Sequence, residues 1–179
     1  MQRKLGICLA EIAAAFLLCG GIAAACGDKF VILGRSMRTE MGRARNPATI
    51  LVFNNPSSRL PAADREYGLA TTLKAAGHKT LVLQDRVQLE EALLSRGYDL
   101  VLADFSDTPA LEKAARKSSP DTIVIPVLYK PTGAELAEAE KQYGCLLKTP
   151  GKHDDLLTVI DEVMRSRAKG VAANCPKPK

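Results

Sequence analysis

At 179 residues, 46% hydrophobic and 25% charged, the chain is long enough for one core of ordinary size and too short for two full domains with flanks. Trp is absent and aromatics make up 4%, so the stacking platforms of single-stranded nucleic-acid binders are missing and the core must be aliphatic. The formal charge of +5 lies outside the middle of the chain: residues 46–164 carry −4, against +1 in 1–25, +3 in 26–45 and +5 in 165–179, which excludes a basic folded face for nucleic acid.

Residues 1–25 open with Arg3 and Lys4, continue through an apolar run over 5–24, and end on Ala23, Ala24 and Ala25 before Cys26. That is the layout of a secretory signal peptide, with Ala23 and Ala25 as the small residues required for cleavage after Ala25. The run is apolar on all sides, unlike a helix that packs one face on a domain. It also resembles a bacterial lipoprotein signal, which makes Cys26 the lipidation candidate. Ala23 stands where that pattern prefers a larger aliphatic residue, and Glu11 would cost about 3 kcal/mol at a membrane centre. The expectation is therefore export, periplasmic or membrane-anchored, with three forms open: a Cys26 lipoprotein, a soluble cleaved chain, and an uncleaved chain tethered through residues 1–26. Basic flanks beside such an anchor are drawn to anionic headgroups. Residues 26–47 read as a linker in which Phe30-Val31-Ile32-Leu33 is either an extra edge strand or part of a spacer.

From Ala48 onward short aliphatic runs alternate with amphipathic stretches, the pattern of a parallel sheet covered on both faces. The first strand is Thr49-Ile50-Leu51-Val52-Phe53, continuously apolar as a doubly covered strand should be. A loop with Pro56, Ser57, Ser58 and Pro61 leads to one helix near 62–76, closed by Gly77. Strand two is Thr80-Leu81-Val82-Leu83. The next helix carries Leu89, Ala92 and Leu93 on one face until Gly97. Strand three, Leu100-Val101-Leu102-Ala103, ends on Asp104. Thr108 as cap and Pro109 in the first turn then start a helix. Strand four is Ile123-Val124-Ile125-Pro126-Val127-Leu128, with a bend or an end expected at Pro126 because proline has no ladder donor. A helix over about 132–143 is closed by Gly144, strand five is Cys145-Leu146-Leu147-Lys148, and the last helix begins near His153-Asp154-Asp155, whose carboxylates suit a helix N-terminus. Residues 48–168 thus form the domain, and 169–179, with Pro176 and Pro178, read as a disordered tail.

Cys8 and Cys19 fall in the signal, and no two cysteines have metal or C-x-x-C spacing. Cys145 is expected as a buried strand residue and Cys175 as a free thiol on the tail; with Cys26 lipidated, the alternative is a Cys145–Cys175 disulfide in an oxidising compartment. His78 and His153 lack partners at metal spacing and read as surface or capping residues. No nucleotide-binding glycine run and no Ser/His/Asp set is present.

Five βα units of this length, with Asp99-Leu100-Val101-Leu102-Ala103-Asp104 and Leu147-Lys148-Thr149-Pro150, resemble the receiver domain of bacterial response regulators over about 48–168. The resemblance implies a flavodoxin-like (CheY-like) α/β fold, a doubly wound five-stranded parallel sheet in the order 2-1-3-4-5, whose first and third strands end side by side at the switch point. It makes Asp104 the phosphoacceptor equivalent and Lys148 the lysine ending strand five, although Thr149 separates Lys148 from the proline. The paired acidic residues that hold Mg²⁺ are replaced by Asn54 and Asn55, a severe loss because a hard, strongly hydrated ion needs carboxylates. The hydroxyl residue ending strand four is also absent, the sole hydroxyl in 123–131 being that of Tyr129. Without the metal, the main neutraliser of transferring charge is gone.

The function these residues imply is an exported pseudo-receiver: a non-enzymatic interaction module with an unknown protein partner and with no catalytic residues, metal or cofactor. Asp104 is expected to pair with Lys148 across the strand ends. By the same resemblance, Tyr143, Lys148 and the exposed side of the last helix are candidate partner contacts. Two rivals remain, a working phosphoacceptor using Asp104, and a small anion or ligand binder using the 54–59 loop at a helix N-terminus.

Overall fold

The computed structural model describes residues 42–95 and 97–175; the signal segment, Cys26 and the 30–33 run lie outside them. Five parallel strands, β1 (Thr49–Phe53), β2 (Lys79–Leu83), β3 (Leu100–Asp104), β4 (Ile123–Tyr129) and β5 (Leu147–Thr149), form one sheet in the order β2-β1-β3-β4-β5. Six helices join them: α1 (Leu60–Tyr67), α2 (Leu69–Ala75), α3 (Arg86–Leu94), α4 (Thr108–Ser118), α5 (Gly133–Gln142) and α6 (His153–Ala168). This is the expected CheY-like architecture.

Strand alternation sorts the aliphatic residues into two layers. Ile50, Val52, Leu100, Leu102, Ile125, Val127 and Leu147 pack with α1, α2 and α6, while Leu51, Phe53, Val101 and Ala103 pack with α3 and α4. A smaller cluster of Leu128, Ala139 and Leu146 lies under α5. The central strands β1 and β3 are thereby buried on both faces, as their unbroken apolar runs require.

Several local expectations are corrected. The helix anticipated near 62–76 breaks at Gly68, whose φ of 60° ends α1 in the left-handed region. The Asp64 carboxylate then accepts the Ala70 N–H at the start of α2. Asp107 rather than Thr108 is the cap residue of α4; Thr108 is buried inside its first turn. β4 runs straight through Pro126. The Val127 carbonyl accepts from Phe105 on the β3 side, so the polar groups of Pro126 face the β5 side, and β5 pairs only from Val127 onward. The missing donor therefore falls where no ladder bond is needed. His78 is buried rather than on the surface, its Nδ1 accepting the Ala48 N–H at 3.1 Å; burial pushes its pKa down.

Both domain boundaries move outward. Residues 42–47, read as linker, are tied to the domain by Ala44 N–H donating to Ala76 O and by Arg45 and Asn46 N–H donating to the Asp161 carboxylate. At the other end, 169–175 do not form a loose tail. Gly170, at φ 65°, reverses the chain after α6, and Cys175 returns to form a disulfide with Cys145, its N–H donating to Gly144 O at 3.0 Å. Cys175 is accordingly buried and not a free thiol, and Cys145 precedes β5 rather than lying within it. Residues 176–179 lie outside the described part. Among the described residues no helix is long and apolar enough to cross a membrane.

Candidate functional site

The pairing of β1 with β3 brings Phe53 level with Ala103, so the loop after β1 and the end of β3 meet at the carboxyl edge of the sheet. Asp104, Asn54 and Asn55 come together there, as the sequence suggested. Asp104 is 2% exposed. Its Oδ2 accepts the Arg59 N–H at 3.1 Å, at the N-terminal end of α1 where the helix dipole favours an anion. Its Oδ1 accepts both the N–H and the hydroxyl of Ser106, at 3.0 and 2.8 Å. Three donors thus hold the carboxylate, and its backbone carbonyl is taken by the Thr108 hydroxyl.

The two asparagines turn their amide nitrogens onto carboxylates. Asn54 Nδ2 donates to Asp64 Oδ2, and Asn55 Nδ2 donates to both oxygens of Asp107, all at 3.0 Å. Two carboxylates on strand one could not make these contacts, because like charges would face each other in a half-buried site. A magnesium site needs several oxygens converging on one point. Here the Asp104 oxygens already accept from N–H and O–H groups, and the Asn54 and Asn55 nitrogens face the nearby acids. The residues do not fit that ion. The Asn54 Oδ1 atom is the one oxygen of this group that is buried without a hydrogen-bond partner.

The loop over 54–59 is occupied by its own contacts. Asn55 Oδ1 accepts from Ser57 N–H, the Ser58 hydroxyl donates to Asn55 O, and the Arg59 guanidinium pairs with Glu135 at 2.8 Å. Glu135 also closes the capping box of α5; the Thr132 N–H and then Arg59 hold its pKa below the usual carboxylate value.

Lys148 and Asp104 stand in different ranks of the sheet. Asp104, Val127 and Leu147 are level across the sheet, and Lys148 falls in the next rank beside Leu128, whose alternation directs it to the opposite layer. The residue directly before the proline is Thr149, buried, its hydroxyl donating to Leu128 O. The position that the receiver resemblance gives to lysine is therefore held by a threonine.

The Tyr129 hydroxyl, the one candidate for the missing group at the end of β4, donates to Glu66 instead. Tyr67 at 2.7 Å and Lys130 at 2.9 Å donate to the same carboxylate, and the Lys130 ammonium lies 4.8 Å from the Tyr129 ring centre. The bonds from Tyr129, Tyr67 and Lys130, in that order, bring the Glu66 pKa down to about 2. Bonding to Tyr129 and Glu66 raises that of Lys130. Sequence reasoning missed Ser106, Asp64, Asp107 and this Glu66 cluster. Ser106 alone had a local signal, lying two residues after an aspartate in a turn; the others meet only through the fold. Tyr143, at the end of α5, packs edge-on against Phe105 with ring centres 6.1 Å apart.

The fold is that of a receiver-like domain, of CheY-like architecture. Two solved structures of NtrX, a response regulator from Brucella abortus, crystallised in complex with ADP and with ATP, are similar to it. Identity is 23% and 22%, the TM-score is 0.55 in each case, and the likeness covers 69% of this chain and 28% of NtrX. At that identity the likeness establishes the fold. No protein-family model matches the sequence, and no curated protein matches it.

Proposed function

We propose that this receiver-like domain is a non-enzymatic interaction module for a protein partner, with a phosphorylation pocket that no longer accepts phosphoryl groups. The observation that carries this reading is the state of Asp104: a carboxylate 2% exposed, held by three hydrogen-bond donors and flanked by amides that bind other acids. Phosphoryl transfer needs an accessible oxygen nucleophile and oxygens that can hold a metal beside it; the buried Asp104 carboxylate and two amides turned onto other acids are unsuited to both roles. The experiment is to treat the purified protein with acetyl phosphate and Mg²⁺ and measure intact mass. No phosphoryl adduct is expected; an adduct on the wild type that is lost in Asp104→Asn would overturn the proposal in favour of a working phosphoacceptor. A parallel thermal-shift series with ADP, ATP and inorganic anions tests ligand binding at the 54–59 loop, and no shift is expected.

The module acts, in the same proposal, after export. Disulfides form in oxidising compartments, and the Cys145–Cys175 bond gives support that is independent of the signal-like composition of residues 1–25. Mass spectrometry of the mature N-terminus distinguishes a lipidated Cys26, plain cleavage after Ala25, and retention of the whole segment; an intact N-terminus on protein found in the cytoplasm would remove the export part of the proposal.

A further inference from the structure

The segment after α6 returns to Gly144 and Cys145, just ahead of β5. Ala173 O is 2.7 Å from where a Cβ on Gly144 would stand, so the two backbones meet at a place where only glycine leaves room. What holds the segment there is small. Val171, Ala172 and Asn174 are exposed; Ala173 and Cys175 supply the apolar contact, and Cys175 N–H to Gly144 O is the backbone bond to the sheet side. Val171 N–H also donates to Ser166 O at the end of α6, yet ordering five residues costs more conformational entropy than two hydrogen bonds and two small side chains return. The bond from Cys145 to Cys175 is therefore what keeps the segment in place.

We propose that this disulfide is a redox clasp: oxidised, it holds residues 171–175 over Gly144 and Cys145, just ahead of β5; reduced, it releases them and bares that surface while the domain stays folded. The reductant is a dithiol. One of its thiolates attacks the sulfur of Cys145, the more exposed half of the pair, and Cys175 leaves as a thiolate and takes up a proton. The second thiol of the reductant then displaces Cys145, so that two electrons and two protons pass to the protein and the reductant becomes a disulfide. The domain stays folded because both layers of the core are built on aliphatic residues of the strands and helices, of which Cys175 is a peripheral member. The clasp rests on the disulfide and its contacts and does not depend on the identity of the partner.

The test is hydrogen–deuterium exchange of the oxidised full chain before and after dithiothreitol, with thiol alkylation to count reduced cysteines. Reduction is expected to expose two thiols and to speed exchange over 171–175 by about tenfold or more, with the β1 and β3 amides unchanged. The Cys145→Ser/Cys175→Ser double variant should show the fast segment without reductant and no response to it. Unchanged exchange in the reduced segment would overturn the clasp, and so would a bond that the dithiol does not open in the folded protein. Loss of protection in β1 and β3 together with the segment would overturn it as well, by showing a structural staple. Gly144→Ala adds a check: crowding Ala173 O, it should make the bond reduce faster than in the wild type, and an unchanged rate would contradict the close packing of the segment.

Discussion

The sheet has two edges, and they are finished in different ways. β5 is three residues long, lies between α5 and α6, and has a returning segment pinned beside it by a covalent bond. β2 is five residues long, with Lys79 and Leu81 exposed, and α3 beside it leaves Val87 and Leu94 64% and 67% exposed. A short strand brings few ladder bonds and little apolar area, so the β5 edge depends on what is fastened over it. The β2 edge depends on its own register with β1 and on a lysine that discourages further pairing. Edges of one sheet can thus be stable for unlike reasons, and they should fail under unlike perturbations.

The largest expected effect is at β5. The disulfide spans a sequence separation of 30 residues, so the Cys145→Ser/Cys175→Ser variant should lose about 3–4 kcal/mol of unfolding free energy in urea, most of it through the unfolded chain. A loss below about 1 kcal/mol would mean that the two edges are not distinguished by the bond. Next, Leu147→Ala, at a buried β5 position, should cost at least about 2 kcal/mol. Leu81→Ala, at the level of Leu51 but 42% exposed, should cost under about 1 kcal/mol by the same measurement. Equal losses would erase the contrast.

A pH series tests the β2 side, where His78 sits just before the strand. Its folded pKa lies below the ordinary 6.5 because burial disfavours the charged ring, an effect larger than the opposing pull of Asp161. The neutral form is favoured in the fold, so the contribution is fully present above about pH 6.5 and is lost as pH falls toward the lower folded value. Urea midpoints of the wild type should therefore fall between pH 7 and pH 5, and His78→Gln should flatten that part of the slope. The smallest effect is expected at Leu94→Glu, on the exposed side of α3, where stability should shift by no more than about 0.5 kcal/mol.

Much of the fold was legible because parallel strands covered on both faces must be continuously apolar, and 50–53 and 100–103 are. The helices around them carried their own stop signals at Gly77 and Gly144. Pro126 misled because its effect depends on which neighbour its polar groups face, a property of pairing rather than of the residue. The single helix over 62–76 misled because its apolar spacing continues across Gly68, and the left-handed turn there is decided by Asp64 capping α2.

At the candidate site, the meeting of Asp104 with Asn54 and Asn55 could be read in advance, since the order of the strands requires it. Their partners could not. Asp64 reaches them from α1 and Ser106 and Asp107 from the loop after β3, and the one-residue register of β5 separates Lys148 from the aspartate.

The sequence by itself determined the strands and, through the receiver resemblance, implied their order and the replacement of two acids by amides, because the strands follow from local composition and the resemblance from a short pattern. Only the tertiary structure decided that Arg59 and Ser106 donate to Asp104, that Lys148 stands one rank away in β5, and that the chain after α6 returns to Cys145. Both outcomes depend on which distant backbones lie side by side, and no window of the sequence contains that information.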